Sequence, residues 1–106
     1  MNVNDPPKIS KPAGKGPVAQ ETRDRDDSLT LICNVESGQP APTITWFKDQ
    51  QIIDQKKIIA SGTILRLEKV SDKDEGLYKC LAENIVGTDA FSWSVKVRGT
   101  SRIFLL

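Results

Sequence analysis

Two cysteines, Cys33 and Cys80, stand 47 positions apart, and Trp46 follows the first by 13. The second closes the run Asp74-Glu75-Gly76-Leu77-Tyr78-Lys79-Cys80, a D-x-G-x-Y-x-C pattern. A fold for this chain must account for two distant sulfurs, one indole between them and a tyrosine two residues before the second sulfur. With no histidine in the chain, two cysteines cannot build a zinc site alone. A bridge between them would close a long loop, worth roughly 4 kcal/mol in the chain-entropy account. Two buried free thiols facing each other would instead fit a reducing compartment. The residues leave both states open.

The length, 106 residues, is that of one domain. A chain of this size buries roughly 65% of its unfolded surface, enough for one modest core. Fifteen basic residues against fourteen acidic leave a net charge of +1, so no field of one sign draws the chain to nucleic acid or anionic lipid. The densest charge run, Arg23-Asp24-Arg25-Asp26-Asp27, mixes signs and reads as a solvated turn. The start, from Met1 to Pro7, lacks the basic and apolar regions of a signal peptide. No apolar run approaches the ~20 residues of a membrane helix, and Ile103-Phe-Leu-Leu106 is far too short. The expectation is an excised piece of a larger protein or a cytosolic one, without direct membrane insertion. No Asn-x-Ser/Thr sequon occurs, which leans slightly away from a secreted origin.

Strand signals dominate, and no segment sustains a helical period. Lys8–Lys11 reads as a first strand, interrupted by Pro12, Gly14, Gly16 and Pro17, so that its halves pair with different sheets. Ser28–Glu36 alternates, with Leu29, Leu31, Cys33 and Val35 on one face. Residues 37–42 read as a turn, Thr43–Lys48 as a strand with Ile44 and Trp46 inward, and Asp49-Gln-Gln51 as a turn before a short strand at Ile52. A brief edge strand spans 57–60, and Thr63–Glu68 follows with Leu65 and Leu67 inward and Val70 plugging the end. Ser71–Glu75 makes a polar corner. Leu77–Asn84 points Tyr78, Cys80 and Ala82 inward, Asn84–Gly87 forms a hairpin whose Asn and Gly suit positive φ, and Thr88–Val97 is last. Many short strands with frequent turns imply an all-β sandwich of two packed sheets.

With these motifs in place, the chain resembles an immunoglobulin domain of the I-set from Pro7 to Val97. The carrying segments are Leu-Thr-Leu-Ile-Cys (29–33), Gly-Gln-Pro-Ala-Pro-Thr-Ile-Thr-Trp-Phe-Lys (38–48), Leu-Arg-Leu-Glu-Lys-Val (65–70), the D-x-G-x-Y-x-C run and Ala-Glu-Asn-Ile-Val-Gly (82–87). The resemblance implies two antiparallel sheets in Greek-key order, joined across the core by a Cys33–Cys80 disulfide. It implies a core signature of Trp46, Leu67, Asp74, Gly76 and Tyr78, with Trp46 packed on the bridge and the Tyr78 hydroxyl returned to backbone near the corner. The domain would span 8–98, with 1–7 a linker from a preceding module and 99–106 a tail or linker. The spacing of the cysteines leaves no room for the extra edge hairpin of a variable domain. Trp93 departs from the family, which usually has a small residue there. Parity with Val95 and Val97 turns it inward, and a slip or bulge would expose it.

Nothing in the sequence assembles catalytic chemistry. Histidine is absent, Asp74 and Glu75 are adjacent and diverge, and Gly14-Lys15-Gly16 lacks the rest of a phosphate loop. The expectation is a non-enzyme without metal or cofactor. Three surfaces remain for binding proteins: the outward face of the last strands with Phe47 and Leu81, the hairpin tip with Ile85 and Val86, and the corner with Lys69 and Asp74. Residues 43–101 are similar to membrane-proximal domains of growth-factor receptor tyrosine kinases, some of which pair a basic residue and an aspartate with their symmetry mates at this corner. That resemblance implies a weak homotypic contact through Lys69 and Asp74. The leading reading is a spacer and protein-binding module of a cell-surface adhesion molecule or receptor, with neighbouring immunoglobulin or fibronectin-type modules as partners. The alternative is a mechanical module of a titin-like protein, cytoplasmic and sarcomeric.

Overall fold

Ten short strands follow from the alternation, in a computed structural model that describes residues 4–11 and 18–99. They are β1 (Asp5–Ile9), β2 (Val18–Asp24), β3 (Leu29–Ile32), β4 (Val35–Gln39), β5 (Thr43–Lys48), β6 (Gln51–Ile52), β7 (Ile58–Ile59), β8 (Ile64–Leu67), β9 (Gly76–Glu83) and β10 (Thr88–Arg98). Single 3-10 turns lie at Gln55–Lys57 and Asp72–Asp74. One layer runs β2-β10-β9-β5-β6; the other runs β3-β8-β7, while β4 pairs with β1. The Cys33 N–H bonds Thr63 O at 2.7 Å and the Ser10 N–H bonds Asn34 O at 2.8 Å, which carries the ladder across the gap between β3 and β4. The expected sandwich is present, and the two halves of the first strand do join different sheets.

Several local readings need correction. The first strand starts at Asp5, inside the segment read as linker, because Asp5 and Lys8 pair with Gln39 and Ser37. The interruption at residues 12–17, and residues 1–3 and 100–106, lie outside the described residues. Strand β4 runs on to Gln39, before a cis Gln39–Pro40 bond, so residues 37–39 are paired backbone and not turn. The sheets are not wholly antiparallel, since β2 lies parallel to β10 over Val18–Asp24. Asn84–Gly87 is a hairpin, yet neither residue has positive φ. The Asn84 side chain makes the turn instead: its Oδ1 accepts from the Val86 and Gly87 N–H groups at 2.9 and 3.1 Å. The charge run Arg23–Asp27 is partly strand and ties elements together through Arg98–Asp24 and Arg25–Asp72 ion pairs.

Register places the core. Trp46 lies opposite Cys80 on one side, and Phe91 lies opposite Cys80 on the other. Indole, sulfur and phenyl thus form one row across three strands, on the face turned to the other layer. Cys80 is bonded to Cys33, with Cα atoms 6.3 Å apart, so the row is stitched to the layer of β3. Trp46 is fully buried and its Nε1–H donates to Gly62 O at 2.7 Å, satisfying the one polar atom of the ring. Leu29, Leu31, Leu65, Leu67 and Val70 fill the facing layer.

Trp93 is inward, as its parity requires, with 7% of its surface exposed. It stacks on Trp46 at 5.4 Å between ring centroids and meets Phe91 edge-on at 5.0 Å. Phe91, two residues before Trp93, is a core residue by the same parity. The position where the resemblance implied a small residue is filled by the Trp93 indole, packed with Trp46 and Phe91. Trp93→Ala is expected to cost about 3–5 kcal/mol, the range for truncating a buried aromatic, in urea unfolding. A cost under about 0.5 kcal/mol would mean the ring packs on nothing.

Strand β1 is held to β10 by a carboxylate. Asp89 Oδ2 accepts from the Ile9 N–H at 2.8 Å and from Lys11 Nζ at 2.6 Å. Partial burial opposes ionisation of Asp89, but the Ile9 N–H and the Lys11 ammonium outweigh it and hold the carboxyl below its ordinary value. The folded value is depressed, so the stabilisation is present above the unfolded value of about 3.9 and is lost as pH falls through the folded one. Asp89→Asn is expected to lower stability by about 1 kcal/mol at neutral pH. The gap to wild type should close progressively below about pH 4 in pH-resolved denaturation.

Candidate functional site

The corner begins with Ser71, whose N–H donates to Asp74 Oδ2 at 2.8 Å, while the Asp74 N–H returns to Ser71 O at 2.9 Å. This reciprocal pair closes the 3-10 turn. The Tyr78 hydroxyl donates to Asp74 O at 2.6 Å, as the resemblance implied. Burial, with Asp74 and Asp49 close by, holds that phenol protonated far above its ordinary range. Glu75 turns the other way, and its Oε2 accepts the Val97 N–H at 2.8 Å. The two neighbouring carboxylates therefore serve different backbones and flank no common space.

Gly76 explains the middle of the motif. Its φ is +153°, and a Cβ there would stand 2.6 Å from Asp49 Oδ2. Asp49, itself at positive φ, uses its other oxygen to accept the Leu77 N–H at 3.0 Å. Sequence reading missed this role, although a turn aspartate opposite an invading glycine was there to be noticed.

The candidate contact residues fall on three separate surfaces. Phe47, half-buried, lies opposite Lys79, which lies opposite Ser92. The Lys79 ammonium sits over the Phe47 ring at 5.0 Å, beside a small depression of about 130 Å³ bounded by Leu77 and Gln50. Leu81, also half-buried, faces Ala90 and Thr45 further along the sheet. Ile85 is 82% exposed and Val86 42% exposed at the hairpin tip. Asn84 Nδ2 anchors that tip to Asp5 O and Pro40 O at 2.7 and 3.0 Å. Lys69 is exposed at the corner beside Asp74.

Tip and corner sit at opposite ends of the eight-residue β9, roughly 25 Å apart at the rise of a strand. The chain passes Asp5 at the tip end and Gly99 at the corner end, where the Arg25 Nε–H bonds Gly99 O at 3.2 Å. Ser71 engages Asp74 Oδ2, and a reciprocal Lys69–Asp74 pair between two copies would share that carboxylate. Among the described residues no three acidic, cysteine or histidine side chains group to hold a metal.

The family model described as "Immunoglobulin domain" matches residues 6–84. Vascular endothelial growth factor receptor 1 of Gallus gallus is 40% identical over 83 residues, 76% of this chain and 6% of that protein. Neural cell adhesion molecule 1 of Bos taurus is 34% identical over 106 residues, 95% of this chain and 12% of that protein. The chain thus spans only a small part of such relatives. An I-band fragment of titin superposes with a TM-score of 0.74 at 26% identity, over 91% of this chain and 34% of that one.

The corner geometry makes Asp74 a structural residue before it is a contact residue. Asp74→Ala should lower stability by about 1 kcal/mol through the lost acceptor for Ser71. Lys69→Ala, exposed, should stay within about 0.5 kcal/mol of wild type in the same urea titration.

Proposed function

The chain belongs to the immunoglobulin domain family, and we propose that it works as a non-catalytic spacer and protein-binding module of a multi-domain cell-surface adhesion molecule or receptor. The observation that carries this is the polarity of the fold. The chain passes Asp5 and Gly99 at opposite ends of the sandwich, the arrangement of a link in a string. Asn84 fastens the approaching segment, and the exposed Ile85 and Val86 stand beside it. Their place suits a joint with a neighbouring immunoglobulin or fibronectin-type module. The half-buried Phe47 and Leu81 give the outer sheet face its apolar character, a surface for a protein partner. A covalently bridged core fits an oxidising compartment, and the likeness to a receptor and an adhesion molecule supports the same setting.

A second reading has its own support. Strand β2 pairs parallel to β10 along Val18–Asp24, and the fold is similar to that of an I-band fragment of titin. Pulling the two ends apart would load those rungs together, which suits a mechanical element of a cytoplasmic, sarcomeric array.

Redox state in tissue separates the two. Protein isolated from its source, denatured without reductant and treated with a thiol-alkylating agent should show no added mass at Cys33 or Cys80 if it faces the cell exterior. Alkylation at both cysteines would favour the intracellular array and remove the cell-surface reading.

A further inference from the structure

Positive charge is scattered unevenly over this near-neutral chain. Lys56 and Lys57 on the turn before β7, Arg66 on β8, and Lys69 and Lys73 on the corner line one open cleft of about 380 Å³. Two carboxylates share it. Glu68 is bonded by Arg66 Nε at 2.9 Å, and Asp74 is bonded by the Ser71 N–H. Among the described residues none of the four lysines pairs with a carboxylate. The cleft therefore has three more cations than anions, in a chain whose whole excess is +1.

We infer that this cleft is a binding site for a linear sulfated polysaccharide. Like charges held side by side repel, and an anion laid among them relieves the repulsion. A second copy of the chain would instead bring the same positive field, so a homotypic contact here is opposed. A single phosphate is best held by converging N–H groups or a bidentate arginine. Here the donors are mostly lysines, compact point charges on flexible stems, spread over the turn before β7 and the corner. That layout suits charge repeated along a chain. None of the residues lining the cleft is aromatic, so nothing is offered for stacking nucleic-acid bases. Ile59, 49% exposed, gives a sugar ring an apolar edge. The choice of a sulfated polysaccharide over an intracellular polyanion rests on the cell-surface reading, because such polymers meet bridged domains outside the cell.

Immobilised heparin is the probe, with the full chain at about 150 mM salt, where surface charge effects are already screened beyond about 8 Å. Wild type should bind, with affinity falling steeply as salt rises. Lys57→Glu combined with Lys69→Glu should weaken binding at least about tenfold, or 1.4 kcal/mol. Lys8→Glu combined with Lys96→Glu makes the same change of net charge at exposed sites away from the cleft, and should weaken it less than about threefold. All four lysines are exposed, so both variants should melt with wild type. Equal weakening by the two pairs overturns the site, as does no retention of wild type. Equally tight, cleft-dependent binding of single-stranded DNA or of desulfated heparin overturns the ligand class. Bridged cysteines in tissue protein with no heparin binding sink this inference alone. Free thiols in tissue protein sink the cell-surface reading, and the polysaccharide with it, even where the column retains the chain.

Discussion

The bond between Cys33 and Cys80 joins the two layers covalently through the core. Its effect depends on where it sits. Cys80 occupies the middle of a row with Trp46 and Phe91, so the covalent link and the largest apolar surfaces coincide. A modest core of this size has few other large groups to close the gap between sheets. The peripheral hydrogen bonds then act on layers already held at a fixed spacing. The Tyr78 hydroxyl on Asp74, the Trp46 ring on Gly62 and the Asp89 carboxylate on Ile9 each fasten one edge of that frame.

The core was legible because it is written twice, once in period-two alternation and once in the cysteine-tryptophan-tyrosine spacing. Leu29, Leu31, Leu65, Leu67, Tyr78 and Ala82 are buried where alternation puts them. Trp93 was readable by parity with Val95 and Val97, against the small residue that the resemblance implied. The turns were less legible, because their chemistry lies in side chains that reach across the sequence. Asn84 suggested positive φ but works through its carboxamide, and Asp49 receives a backbone N–H from 28 residues away. Pairing direction was also hidden: nothing local in Val18–Asp24 reveals that it lies parallel to β10.

The surfaces were legible only as residue types. Lys69 and Asp74 read from the sequence as two charged residues of one corner, available to a second copy. In the fold Asp74 Oδ2 accepts the Ser71 N–H, while Lys69 joins lysines that are 12 and 13 positions upstream in sequence. Charge counted over the whole chain conceals that gathering, since the balancing carboxylates lie elsewhere.

The stack of Trp46 on Trp93 has an optical consequence. The chain has two tryptophans, and both are in that stack. All of its indole emission therefore originates from one spot in the interior, beside a disulfide that quenches fluorescence. Rings this close also couple electronically, which gives the folded domain a signature in circular dichroism that isolated indoles lack. Parting of the sheets would be visible without any attached dye, as the coupled band fades and the emission brightens and reddens.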